Sequence, residues 1–275
     1  VSTLAACGVL SGCSETDAKS SPKNSLEAAG ATVDTNGAGD VVKIVGRGDK
    51  ITDTELASIG ELSELTVLEL HGPSVTDAGL QKLCGATKLN KLFIHDVNGS
   101  DWSFLESLTN LEYLSLQGSN FDDAALAHLT KLKNLKSLNL AATSIAGTEL
   151  SQLQELKQLD RLYLQRTAVD DAGLKNLGGH ETLTWLNLND TKITDNGLEV
   201  LGNFPALQIL FLNENDITDE GLAVLRSLIL EKLKNLTGLM LAGTEVTDDG
   251  LVHLEGLTQL EQIQLVNSQI SRAGL

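Results

Sequence analysis

One six-residue phrase recurs along most of this chain: LTVLEL from Leu65, followed by LNKLFI, LEYLSL, LKSLNL, LDRLYL, LTWLNL, LQILFL, LTGLML and LEQIQL. Most copies are 24 residues apart, with a step of 22 after LNKLFI and one of 29 after LQILFL. A unit this short cannot close a core of its own. It must bury its apolar side against the next copy, so the 275 residues imply one elongated array rather than two globules.

In LTWLNL, Leu186 and Leu188 alternate with Trp185 and Asn187. This is the two-residue period of a strand with one side in a core, and parallel stacking of the copies predicts one long sheet. A second phrase follows most strands: VTDAGLQKL from Val75, VDDAGLKNL from Val169, ITDNGLEVL from Ile193, ITDEGLAVL from Ile217 and VTDDGLVHL from Val246. Thr194 and Asp195 are helix-capping types, and Leu198 and Leu201 then turn inward from a helix of about two turns that depends on packing. Ser119, Thr143, Thr167, Thr191, Asn215, Thr244 and Ser268 share the slot where the chain leaves the strand, and can bond backbone groups there. Gly79, Gly173, Gly197, Gly221 and Gly250 share a slot that Glu55, Ala125 and Glu149 also occupy. The slot therefore needs room between neighbours rather than a positive φ.

These two phrases resemble the leucine-rich repeat, L-x-x-L-x-L, from about Val42 to the last residue. The variety most similar is the bacterial one written T-x-I-T-D-x-G-L-x-x-L, related in pattern to the cysteine-containing repeats of F-box proteins. The resemblance implies an α/β solenoid: a curved right-handed stack with a parallel β-sheet on the concave face and short helices on the convex face. It implies no single function, because that fold serves many partners.

The chain divides into residues 1–13, a leader remnant; 14–24, a flexible polar tether; 25–65, an N-terminal cap with a first degenerate repeat; and 66–275, the repeats. VSTLAACGVLSGC is too short to span a bilayer and has the shape of the rear of a secretory leader. Leu10-Ser11-Gly12-Cys13 resembles a lipobox, which implies a lipid on Cys13; Leu4-Ala5-Ala6-Cys7 also fits, and cleavage by the ordinary signal peptidase is the alternative. A lipid there would tie the protein to a bacterial cell envelope, periplasmic or on the outer-membrane surface. In the cap, a short helix from Ser25 precedes two strands around Asn36-Gly37. The insert SLILEKLKNL reads as a longer helix, and in the shortened copy DWSFLESL the side chains of Trp102 and Phe104 fill the space of a missing leucine helix. ISRAGL ends with its helix unfinished.

A formal charge of −17 weighs against nucleic acid, whose phosphates need clustered Lys and Arg. Three cysteines with no C-x-x-C pair support neither a disulfide scaffold nor a zinc ribbon, and Cys84 reads as a small core residue. The stacked aspartates Asp53, Asp77, Asp123, Asp171, Asp195, Asp219 and Asp248 account for part of the acidity as cap residues, and they lack the D-x-D spacing of a calcium loop. His71 and His95, about one interstrand spacing (~5 Å) apart with Glu69 and Asp96 near, fall short of a ligand set, so no metal is expected. No nucleophile, phosphate-binding or dinucleotide motif occurs, and neither an enzyme nor a cofactor is expected.

What does not repeat is the outward face of the sheet, which carries Phe93, Tyr113, Tyr163, Trp185 and Phe211, five of the nine aromatics in the chain. Aromatics so placed bring no core packing; either they support one another as cross-strand pairs or they await a partner. Trp, Tyr and Arg are the residues that most often anchor interfaces. The expected binding surface is Phe93, Tyr113, Arg161, Tyr163, Arg166, Trp185, Ile209, Phe211 and Met240, and its expected occupant a protein or peptide. Two alternatives are a glycan or cell-envelope ligand, with Asn187, Asn189 and Asn213 as hydrogen-bonding groups, and a substrate adaptor of F-box-like type.

Overall fold

A computed structural model describes residues 22–47, 50–97 and 99–271. Cys7 and Cys13, and with them the lipobox and most of the tether, lie outside the described residues. Eleven strands form a single sheet in chain order: Thr32–Thr35 (β1), Val41–Gly46 (β2), Val67–His71 (β3), Lys91–His95 (β4), Tyr113–Ser115 (β5), Ser137–Asn139 (β6), Arg161–Tyr163 (β7), Trp185–Asn187 (β8), Ile209–Phe211 (β9), Gly238–Met240 (β10) and Gln262–Gln264 (β11). β1 is antiparallel to β2, through a turn in which Asn36 Oδ1 accepts from the amides of Ala38 and Asp40; all other pairings are parallel. Ile44, Leu68, Leu92, Leu114, Leu138, Leu162, Leu186, Leu210 and Leu239 align in register and are buried. The helix that precedes β1, Pro22–Ala28 (α1), starts three residues before Ser25 and takes in the end of the segment read as tether; it buries Leu26.

On the opposite side lie Asp53–Ile59 (α2), Asp77–Leu80 (α3), Asp171–Leu177 (α4) and Asp219–Glu231 (α5), and among the described residues six further segments are 3₁₀ turns, including Asp123–Lys131 and Asp195–Asn203, both expected as short α-helices. The i,i+3 spacing suits either form, since α4 buries Leu174 and Leu177 at the same interval. With three residues per turn, positions i and i+3 eclipse, and Leu126/Leu129 and Leu198/Leu201 are i,i+3 pairs that a 3₁₀ turn buries together. Only α5, which contains most of the inserted residues, keeps a long α-helical pattern, with Leu222, Leu225, Leu228 and Ile229 inward. Strands stack about 4.8 Å apart and packed helices about 8–10 Å, so the sheet occupies the inner side of the curve.

The polar rows have separate tasks. Thr143, Thr167, Thr191 and Thr244 each donate to the carbonyl three residues back, at 2.6–2.8 Å, and Ser119 and Ser268 do so at 2.5 Å. Asn215 reaches further, to the Leu188 carbonyl, and accepts from Thr191. Threonine at 52, 76, 194, 218 and 247 caps its own helix or turn.

The aspartate that follows does not cap its own helix; it crosses to the next repeat. Asp195 accepts from the Thr218 amide at 3.0 Å and the Thr218 hydroxyl at 2.6 Å. Asp53 clamps Thr76 in the same way, Asp171 Thr194, Asp219 Thr247 and Asp248 Ser271. Asp77 holds Ser100 and the Asp101 amide, which together depress its carboxyl below the ordinary value, and Asp123 holds the amides of Ala146 and Gly147. This clamp supplies the reason for glycine: a Cβ on Gly79, Gly197, Gly221 or Gly250 would stand 2.0–2.3 Å from the clamping carboxylate oxygen. Where no aspartate arrives, in the first repeat, Glu55 takes the slot and closes a capping box with Thr52 instead.

Trp102 and Phe104 are buried, and the Trp102 ring meets Phe121 at 5.4 Å in the shortened repeat. Cys84 departs from its expected isolation: it is partly buried against the core and disulfide-bonded.

His180 breaks the pattern of its row. It is only 5% exposed, at the position that holds Leu132, Leu156, Phe204 and Leu233 in other repeats. Nδ1 meets the Thr182 hydroxyl at 3.2 Å, but Nε2 is buried without a well-formed hydrogen bond, although the Leu156 and Leu153 carbonyls lie near. Burial is the main cause that lowers its pKa. The fold therefore holds a neutral imidazole, whereas the unfolded chain takes up a proton as the pH falls below the ordinary histidine value of about 6.5. Stability contributed here is complete above that value and is lost on acidification. His180→Leu is expected to raise the unfolding free energy by about 1–2 kcal/mol at neutral pH, and to flatten the fall in stability below pH ~6.5, in urea titrations from pH 5 to 8. Part of that slope remains, since burial and the neighbouring His71 lower the His95 pKa as well.

Candidate recognition surface

The nine residues expected to bind fall into two groups. On β4 and β5, Phe93 packs edge-on to His95 with ring centres 6.4 Å apart, and Tyr113, 38% exposed, lies under the Lys91 ammonium at 4.9 Å. β6 then presents the polar Ser137 and Asn139, and the larger group follows on β7 to β10. The registers Arg161–Trp185–Ile209–Gly238 and Tyr163–Asn187–Phe211–Met240 place the aromatics in a zigzag across three strands. Trp185 stands 6.3 Å from Tyr163 and 4.8 Å from Phe211, tilted 42° to each, and the Arg161 guanidinium lies 5.8 Å from its ring centre. Ile209 spreads over the bare Cα of Gly238, where a Cβ would meet its Cδ1 at 2.5 Å. Tyr163, Trp185, Ile209, Phe211 and Met240 are half-buried, while Arg161 and Arg166 are exposed. The rings pack on one another and still show a face to solvent, so cross-strand support and partner binding are both compatible with their placement.

Beside the aromatic group runs a polar trough. Asn187 Oδ1 accepts from the Asn189 amide at 3.0 Å, Asn189 Oδ1 from the Asn213 amide at 2.8 Å and Asn213 Oδ1 from the Ala242 amide at 2.7 Å. The residues after Gln165, Asn189 and Asn213, namely Arg166, Asp190 and Glu214, take a positive φ of 50–59° and form the rim. Arg166 faces Asp190 at 3.9 Å. The trough has a volume of about 490 Å³, with Ala141, Ala142 and Ala242 among the small residues that leave the space. Two buried polar atoms on this face make no hydrogen bond, Trp185 Nε1 and Gln165 Oε1.

At the other end of the face, His71 and His95 meet ring to ring at 4.5 Å, T-shaped. Their Nε2 atoms turn to different partners, Glu69 Oε1 and Ser115 Oγ, each at 2.9 Å. The hydrogen bond from His71, with Arg47 assisting, holds the Glu69 carboxyl below its ordinary value. Among the described residues no group of three or more His, Cys, Asp or Glu is arranged to hold a metal ion.

Comparison with known proteins agrees with this geometry. The family model "Leucine Rich repeat" matches residues 179–202 and 206–225. The chain has the leucine-rich-repeat fold. Among solved structures, the leucine-rich-repeat chain is similar to internalin C2 of Listeria monocytogenes, with 23% identity, a TM-score of 0.57, and coverage of 90% of this chain and 92% of that one. An internalin, inlF, of the same organism is matched at 21% identity over 90% and 94% of the two chains, with a TM-score of 0.33. A plant peptide hormone receptor, RGFR1 in complex with RGF2, is matched at 17% identity over 78% of this chain and 38% of that one, with a TM-score of 0.49. No match is found among curated protein sequences. The likeness to internalin C2 shows the fold alone.

Sequence reasoning named the outward residues and placed Tyr163, Trp185 and Phe211 together on consecutive strands, as the ring contacts have them, but missed the cations that lie over the rings. Lys91 over Tyr113 and Arg161 over Trp185 follow from neighbouring slots in aligned strands, a signal that was available. The fixed orientation of the asparagines was not, because it depends on which backbone amides the sheet leaves unpaired.

Proposed function

We propose that this leucine-rich-repeat solenoid is a non-enzymatic recognition module that holds a protein or peptide against the inner face of its sheet, with Tyr163, Trp185 and Phe211 as the anchor and Arg161, Arg166, Ile209 and Met240 around it. The observation that carries the proposal is the half-exposed aromatic group on a face where the fold itself needs no aromatic. Phe93 and Tyr113 form a second, smaller contact point. Selection of random dodecapeptides displayed on phage against the full chain, followed by titration of the selected peptides onto the Trp185→Ala variant, tests it. Peptides that bind both chains equally would refute it.

We further propose that the chain is tethered to a bacterial cell envelope through a lipid on Cys13, on the support of Leu10-Ser11-Gly12-Cys13. Mass spectrometry of the mature N-terminus is expected to find an acylated Cys13 as the first residue; an unmodified terminus elsewhere would refute this anchor.

A further inference from the structure

The asparagines beside the aromatic anchor have only one way to point. Asn187, Asn189 and Asn213 each spend Oδ1 on a backbone amide of the sheet, at 3.0, 2.8 and 2.7 Å. A backbone N–H can only donate, so the oxygen must face it, and the Nδ2 group must face outward. No hydrogen bond among the described residues engages these three Nδ2 groups. Asn139 repeats the arrangement two repeats earlier, with Oδ1 on the Ala141 amide and Nδ2 on Gln117 Oε1, which leaves the Gln117 amide nitrogen outward too. The trough therefore offers a line of donors on its asparagine side; its acceptors are Gln165 Oε1, Glu214 and Asp190 on the rim, the last facing Arg166 at 3.9 Å.

A surface of donors beside aromatic rings favours a backbone that supplies acceptors and lacks donors of its own. Proline is the residue with a carbonyl and no N–H. Its polyproline II helix leaves every carbonyl unpaired and docks on aromatic-lined grooves. The dimensions agree: one polyproline II turn of three residues advances about 9.3 Å, and two strand spacings are about 9.6 Å. From the oriented amides and the aromatic zigzag we infer that the inner face binds a proline-rich segment in the polyproline II conformation, its rings against Tyr163, Trp185 and Phe211 and its carbonyls on the Nδ2 groups of Asn189 and Asn213. This deepens the recognition proposed above and rests on it.

Capped decaproline is the probe, with a capped Gly-Ser decamer as its control, both followed by tryptophan fluorescence and calorimetry on the full chain. Decaproline is expected to bind saturably and at least about tenfold more tightly than the control. Asn189→Asp with Asn213→Asp keeps an oxygen for each sheet amide and turns the outward donor into an acceptor, so decaproline affinity is expected to fall about tenfold or more while the urea midpoint stays close to wild type. Asn213→Asp alone, which alters the fold less, is expected to lose about half of that effect on a logarithmic scale. Decaproline no tighter than the control, or undiminished affinity in the folded Asp variants, overturns the inference. If decaproline fails while phage-selected peptides still depend on Trp185, only the proline assignment falls; if those peptides ignore Trp185, the recognition surface itself falls.

Discussion

Asp195→Ala is expected to lower the unfolding free energy by about 2–4 kcal/mol, a large effect for a side chain near the surface. The loss has two parts. The Thr218 amide and hydroxyl lose charge-assisted hydrogen bonds of 3.0 and 2.6 Å, and the space over Gly221 empties. A double-mutant cycle separates this account from general disruption. Gly221→Ala alone places a Cβ 2.0 Å from Asp195 Oδ1 and is expected to cost about 1–3 kcal/mol, although alanine is the better helix former by about 1 kcal/mol. In the Asp195→Ala background the carboxylate is gone and only Ile217 Cγ2, at 3.0 Å, crowds the new Cβ, so the same change is expected to cost at least about 1 kcal/mol less. Urea unfolding of the four chains reads the result; a Gly221→Ala cost that is equal in both backgrounds would mean that the carboxylate is not what excludes the side chain.

Trp185→Ala is expected to weaken peptides selected on the inner face by 30-fold or more, on the order of the 2 kcal/mol that marks an interface anchor. Trp185 touches both other rings of the group and carries the Arg161 guanidinium, so its removal dismantles the anchor rather than trimming it. Its backbone lies in β8, whose core contact is made by Leu186, so the urea midpoint should move much less than the affinity. Trp185→Phe retains a ring against Tyr163 and Phe211 and is expected to keep part of the binding. An alanine variant that is folded and still binds within threefold of wild type would exclude Trp185 as the anchor.

The parts of this molecule that were legible in the sequence are those fixed by period. Leu186 and Leu188 announce a strand with a buried side, and the return of the phrase announces its parallel neighbours. Thr191 and its equivalents bond where expected, because a hydroxyl after a strand has few partners other than its own turn. The clamp was not legible. Thr-Asp before a leucine pair spells a helix cap, and nothing local says that Asp195 turns to Thr218, which is 23 residues away. The glycines held the clue, since a small residue that neither bends the chain nor lines a ligand must make room for something. The surface was legible in its placement and not in its contacts. Alternation and the repeat register placed Tyr163, Trp185 and Phe211 together outward, but they could not show the ring tilts, the Arg161 guanidinium over Trp185 or the Lys91 ammonium over Tyr113.

The aspartate clamps all run the same way, from one repeat to its successor and never back. The stack therefore has a polarity that its leucines lack. During synthesis each repeat that leaves the ribosome meets a carboxylate already held in place by the part of the chain made before it, so the finished portion serves as a template for the portion still being made.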